Sequence, residues 1–216
     1  MDTVNISMSV IVLLVAMALA FDFMNGFHDA ANAIATVVST RVMKPHTAVA
    51  MAAICNVAAI FVFELKVAAT VGKGTIEPFA IDYYVIFGAL AGAIAWNVIT
   101  WYYGIPSSSS HALIGGLIGP ALVHAGPEAL IASGVIKVVA FILISPLLGM
   151  VLGSLMMILV SWLFRNTTPR RVDKWSRLLQ LFSASAYALG HGGNDAQKTI
   201  GIIWMLLLSA GMMQPG

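Results

Sequence analysis

Five polar side chains, Asp22, Asn25, His28, Asp29 and Asn32, fall close together in an otherwise apolar N-terminal stretch. A charged group at the centre of a membrane helix costs about 2.5 to 3.5 kcal/mol on insertion scales. Such groups therefore need an interior partner or a ligand. Asn25, Asp29 and Asn32 are spaced by four and three, so all three share one helical face, with His28 on its adjoining edge. An interhelical hydrogen-bond cluster would account for one buried asparagine. Five such groups point to a site for an ion or a polar solute.

The same chemistry returns near the other end. Gly26-Phe27-His28-Asp29-Ala30-Ala31-Asn32-Ala33 aligns with Gly192-Gly193-Asn194-Asp195-Ala196-Gln197-Lys198-Thr199, sharing the glycine, the aspartate and the following alanine at equal offsets. His191 and Lys198 add polar groups there. Lys198 is placed either to neutralise Asp195 or to help attract an anion. Between the two copies lies Pro106-Ser107-Ser108-Ser109-Ser110-His111, followed by Gly115 and Gly116. Serines that begin a helix offer hydroxyls and unpaired backbone N–H groups at the positive end of the helix dipole, a seat suited to an anion. One serine suffices for an N-cap, so four in a row favour anion binding.

The elements that hold these groups are read from composition. Of 216 residues, 60% are hydrophobic and 9% charged, against roughly 25% charged in an ordinary soluble domain. Apolar runs long enough to cross a bilayer occur at Thr47 to Leu65, Tyr83 to Tyr102 and Leu147 to Phe164. The opening run Ile6 to Phe21 lacks a basic n-region and a cleavage pattern, so it reads as a retained helix rather than a signal peptide. No run alternates with the period of two needed for a lipid-facing barrel strand. The expected fold class is all-α, a polytopic transmembrane helical protein with inverted-topology repeats and broken or re-entrant helices. The lone Cys55, inside an apolar run, excludes a disulfide framework and a cysteine metal cluster. A net charge of +2 with scattered basic residues gives no nucleic-acid surface.

Basic residues gather at Arg41 and Lys44 and from Arg165 to Arg177, which the positive-inside rule assigns to the cytoplasmic side. Glu64 to Asp82 carries no positive excess and is expected outside. The chain then alternates: Asn5 to Thr40 inward, Thr47 to Leu65 outward, Tyr83 to Tyr102 inward and Ile105 to Val123 outward, with an outside turn at His124 to Glu128. Ala129 to Phe164 returns inward, either as one helix kinked at Pro146 or as a hairpin of two. On this parity the two polar copies run in opposite directions, the signature of an inverted-repeat transporter with its site where the repeats meet. The expected organisation is a first repeat over 1–164, a basic cytoplasmic loop over 165–177, and the start of a second repeat over 178–216.

The motifs GFHDAANA, GGNDAQKT and PSSSSH, in that order, resemble the signatures of the inorganic phosphate transporter (Pit) family. The resemblance covers nearly the whole chain. It implies cation-driven phosphate symport, broken helices, a homodimer in membrane lipid, and residence in the cell inner or plasma membrane as a multi-pass protein. It places phosphate at Ser107, Ser108, Ser109, Ser110, Asn32 and Asn194, and the coupling cation at Asp29, Asp195, His28 and Asn25. His28 stands where the family pattern often has Asn, a variant resembling the bacterial proton-coupled branch that carries metal–phosphate complexes. Protons are thus expected in preference to sodium, with Mg2+ as a companion of phosphate. No resident cofactor or metal and no catalytic activity is expected.

One spacing departs from the pattern. Asp29 precedes Ser107 by 78 residues, so a second serine helix should fall near position 273, and the chain is expected to be a fragment of a longer transporter or a truncated gene product, in preference to a short natural form that borrows the missing half from another chain. Two rival readings are a divalent metal transporter using His28, Asp29, His191 and Asp195, and an intramembrane hydrolase using Ser107 or Ser110 with His111 or His191. The serine cluster is a poor metal site. Adjacent Ser110 and His111 on one helix point apart, which disfavours a nucleophile and base pair.

Overall fold

The computed structural model describes residues 7–63 and 74–213. Among them the regular structure is helical: α1 (Met8–Ser39), α2 (Pro45–Val62), α3 (Tyr83–Tyr102), α4 (Ser109–Ala125), α5 (Ala132–Phe164) and α6 (Pro169–Ser209). Short 3-10 turns at Pro78–Ala80 and Pro127–Ala129 and one isolated bridge between Ile76 and Leu130 complete it. Helix is the expected solution in lipid, because it satisfies its own backbone. Four of the helices, α1, α2, α3 and α5, are long and apolar enough to span a membrane. The protein is an all-α polytopic membrane protein.

Helix direction follows from which residues meet. Along α1 and α6, Thr40 donates to Gln180 at 3.0 Å, Val37 packs with Ala184, Ala33 with Ala188, and Thr199 donates to Asp22 at 2.8 Å. Numbers rise on one helix as they fall on the other, so α1 and α6 are antiparallel. Ala48 and Ala52 of α2 pack at Ala184 and Ala188 in the same order, so α2 runs parallel to α6. The contact is close because the residues are small: a Cβ on Gly192 would stand 2.5 Å from the Asn56 Cα. Leu14 and Phe21 share a core with Ile86, Leu90 and Ala93, while the Phe27 and Trp101 rings lie 5.5 Å apart, so α1 and α3 are parallel.

The α3 and α4 helices form an antiparallel hairpin. His124 meets Asp82 at 3.5 Å at one end, and the Trp96 indole N–H donates to the Ser107 hydroxyl at 2.9 Å at the other. Between them Gly116 lies so near that a Cβ there would meet the Ala89 carbonyl oxygen at 2.6 Å. The tip of this hairpin reaches only to the level of Phe27 and His28, whereas α1 runs on to Ser39. At about 1.5 Å per residue the hairpin stops roughly 16 Å short of the end of α1. The start of α4 is thereby held inside the bundle, a re-entrant arrangement. The signature helices α1 and α6 are themselves continuous, and the chain breaks at the serine motif.

These directions alternate as the span parity requires. The undecided stretch after Ala129 is one helix, α5, which continues through Pro146. Proline is tolerated where neighbouring groups or small adjustments re-satisfy the backbone, and a single crossing keeps α6 opposite to α1. None of the α5 residues is buried. Two boundaries differ from expectation. The basic stretch 165–177 is a loop only to Thr168, because Pro169 opens α6 in the first turn, where a missing N–H costs nothing, and Arg177 pairs with Asp173 at 3.1 Å one turn on. The expected span from Ile105 begins as helix only at Ser109. The last residues of the expected span Thr47 to Leu65 and most of the expected outer loop, residues 64–73, lie outside the described residues.

Candidate functional site

The antiparallel seam between α1 and α6 brings the two polar copies together. Asp29 is 9% exposed, and His191 of α6 stands between the carboxylates, its Nε2 at 3.1 Å from Asp195 Oδ2 and 3.9 Å from Asp29 Oδ2. Ligand atoms of Asp29, His191 and Asp195 all lie within 4.8 Å of one another, a three-residue group with the chemistry to hold a metal ion. Each aspartate also has a partner three residues on. Asn32 Nδ2 donates to Asp29 Oδ1 at 3.3 Å, and Lys198 Nζ donates to Asp195 Oδ1 at 2.6 Å. The contact at Asp195 therefore assigns the Lys198 ammonium to that carboxylate.

The serines divide by role. Ser108 is the N-cap of α4, its hydroxyl accepting from the His111 N–H at 3.4 Å. Ser107 accepts from Trp96 and lines a smaller pocket of about 480 Å³ beside Gly92 and Gly116. Ser109 is buried, and Ser108, Ser109 and Ser110 line a cavity of about 910 Å³. Its walls also include Asp29, His191, Asn194, Asp195 and Lys198, so the start of α4 faces the paired aspartates across one open volume. The short hairpin is what makes this possible: its tip ends at the level of the signature, well short of the end of α1.

Asn25, His28 and Asn32 stand off that cavity. Asn25 is 1% exposed and its Oδ1 has no hydrogen-bond partner among the described residues. His28 Nδ1 lies 3.9 Å from Asp29 Oδ1, and its Nε2 lies 3.4 Å from the Thr100 hydroxyl. Asn32 is exposed despite sharing the face of Asn25 and Asp29, because α3 ends opposite His28 and, among the described residues, does not reach the next turn.

Sequence reasoning missed several groups. Asn97, 1% exposed with its Nδ2 unpaired among the described residues, and Thr100 lie on the α3 wall beside the first signature. Lys137 and Ser133 of α5 line the large cavity. The signal for Lys137 was available: it is the single charged residue in the 33-residue α5, and the rule that flagged Asp29 flags it equally.

Fold and site together define a multi-pass helical membrane protein whose polar groups converge on an interior cavity between oppositely directed helices. The phosphate transporter family profile matches residues 25–176. The chain is 53% identical to a probable low-affinity inorganic phosphate transporter of Rhizobium meliloti (strain 1021), over 97% of this chain and 63% of that protein. It is 45% identical to the probable low-affinity inorganic phosphate transporter of Bacillus subtilis (strain 168), over 93% of this chain and 61% of that one. The chain thus spans somewhat under two thirds of the length of these relatives. Its fold is similar to that of a solved structure described as the sodium-dependent phosphate transporter, with a TM-score of 0.81 and 20% identity, over 96% of this chain and 70% of that one. The chain belongs to the phosphate transporter family, and it is a multi-pass protein of the cell inner or plasma membrane.

Proposed function

We propose that the protein moves inorganic phosphate across the membrane by proton symport, taking phosphate alone or as a complex with a divalent metal such as Mg2+. The observation that carries this reading is the cavity of about 910 Å³ in which the serine-capped start of α4 faces Asp29 and Asp195. A phosphate there accepts from the first free backbone N–H groups of α4 and from the Ser109 and Ser110 hydroxyls, at the positive end of the helix dipole. Ser108 contributes chiefly as the cap and Ser107 by anchoring Trp96, while Asn194 offers an amide from the opposite wall. Asn32 serves Asp29 rather than the anion.

Two carboxylates near an anion are unfavourable until they are compensated. Asp29 and Asp195, with His28 and Asn25 behind the first, form the coupling half of the site, where a proton or other cation lowers the cost of admitting phosphate. The grouping of Asp29, His191 and Asp195 suits a divalent metal arriving with the anion. It does not favour free metal as the cargo, since that would leave the serine helix unused. Nor does a hydrolase fit: the Ser107 hydroxyl accepts from Trp96, and among the described residues neither Ser107 nor Ser110 hydrogen-bonds to the His111 or His191 ring. Helices α1 to α5 act as the first repeat and α6 begins the inverted second, with a homodimer in lipid as the working assembly.

The test is uptake of radiolabelled phosphate into proteoliposomes under imposed proton or sodium gradients, with and without magnesium. Uptake should follow the proton gradient, compete with cold phosphate but not sulfate, and vanish in Asp29→Asn. Uptake that survives a collapsed proton gradient yet requires sodium would overturn the proton assignment. Competition by free divalent metal with no phosphate uptake would overturn the substrate.

A further inference from the structure

The two halves of the site are built on the same frame but not with the same charge. Counting from each signature aspartate, the residue three positions on is Asn32 in the first copy and Lys198 in the second. Both reach back to the same atom of their aspartate: the Asn32 amide to Asp29 Oδ1 at 3.3 Å, the Lys198 ammonium to Asp195 Oδ1 at 2.6 Å. The lysine and its carboxylate are each 14% exposed, within the seam between α1 and α6. A lysine placed there carries its charge into a costly environment, and the geometry gives it one close acidic partner.

We propose that the Lys198 ammonium is a tethered cation, filling at Asp195 the seat that a soluble coupling cation would otherwise occupy. The other oxygen of Asp195 faces His191 Nε2 at 3.1 Å without a hydrogen bond between them, so side chains of α6 itself stand against both of its oxygens. Asp29 has no such ammonium: its near neighbours are the neutral Asn32 amide, and His28 and His191 at 3.9 Å. The exogenous cation is therefore taken at the Asp29 half alone, and the cycle consumes one fewer cation than a site with asparagine in both places. Lys137, across the cavity, adds positive charge to the anion's path but pairs with no carboxylate among the described residues.

This inference rests on the transport reading only for its consequence, since occupancy of the seat is measured without phosphate. In Lys198→Asn the second half-site copies the first, Lys198→Arg keeps the charge, and Asn32→Lys tethers the first half as well. The full-length purified protein is melted in sodium chloride and in choline chloride at equal ionic strength, and phosphate KM is measured in the same salts. Lys198→Asn should show a larger sodium-dependent rise in melting temperature than wild type or Lys198→Arg, and sodium should lower its phosphate KM by about fivefold or more, the size of an ordinary coupling. Asn32→Lys should lose whatever cation response the wild type has. A Lys198→Asn protein whose melting responds to sodium no more than wild type overturns the tether. If that variant does not fold, an Asn32→Lys protein that keeps the wild-type cation response overturns it instead. Gain of the melting response in a protein that takes up no phosphate upholds the tether and removes the substrate reading.

Discussion

Asp29→Asn and Asp195→Asn remove equivalent carboxylates from the two signatures, yet they should differ sharply in stability. Asp195 stands 2.6 Å from the Lys198 ammonium, with each side chain 14% exposed. At an effective dielectric near 20 the Coulomb attraction at that distance is about 6 kcal/mol before desolvation is charged against it. Removing one member of a buried pair typically costs about 3 to 5 kcal/mol, because the other charge is left uncompensated. Lys198 borders the open cavity, where water reaches the ammonium, so the lower figure of about 3 kcal/mol is the better expectation. Asp29 has no cation as close: its histidines lie at 3.9 Å and its nearest donor is the Asn32 amide. Its loss strands no full charge and should cost about 1 kcal/mol, the worth of a single hydrogen bond. Scaled as for a soluble domain of this size, the difference of about 2 kcal/mol is about 4 to 8 °C in melting temperature. The assay is thermal unfolding of the detergent-solubilised variants beside wild type, with Asp195→Asn/Lys198→Asn as the fourth member of the set. The double variant should recover most of the loss of Asp195→Asn, since no unpaired ammonium remains. Equal melting of the two single variants, or no recovery in the double, would refute the pairing argument. Neither single variant should take up phosphate.

Ser109→Ala should raise phosphate KM by about tenfold, the loss of one hydrogen bond to a charged group, with Vmax little changed; uptake at graded phosphate reads it. Ser108→Ala should instead lower stability by about 1 kcal/mol through loss of the α4 cap, visible in melting before it is visible in KM. Gly192→Val should push α2 from α6, because even a Cβ would meet Asn56 Cα at 2.5 Å; a loss of about 1 to 3 kcal/mol is expected, and unchanged melting would deny the close approach. Lys137→Gln should raise phosphate KM several-fold and flatten its dependence on salt, as loss of a screened attraction does, while leaving melting near wild type because Lys137 is exposed and outside the packed core.

Much of the fold was legible in the sequence because a bilayer imposes length and polarity on every span. Hydropathy located α2 and α3 closely, and arginine placement supplied an alternation of directions that the helix contacts match. The polar signatures were equally visible, since a charged group inside an apolar run is costly wherever the chain places it. Less legible was how far each helix extends relative to its neighbours. Nothing in the local pattern says that the α3 and α4 hairpin ends opposite His28, and that depth decides which polar residues share a volume. It puts Ser109 and Ser110 with Asp29 and Asp195, while Ser107 turns to Trp96 and Asn32 is left uncovered. The contribution of α5 was hidden for the same reason: Lys137 is a lone charge in sequence, and only the packing of the α5 start beside Gly74 and Thr75 sets it on the cavity wall.

Residue types and their spacing by themselves determined that this is a helical membrane protein with two related polar segments of opposite direction and a serine-rich helix start between them. Composition and periodicity carry that much because they act through solvent, span by span. Tertiary structure decided that the two carboxylates face one another through His191 and share a cavity with the start of α4. Asn32 and Lys198 occupy the same offset from their aspartates, and helix geometry alone lets Lys198 reach Asp195 three residues back. What the packing of α6 along α1 adds is the seam that leaves both side chains only 14% exposed and sets His191 between Asp195 and Asp29.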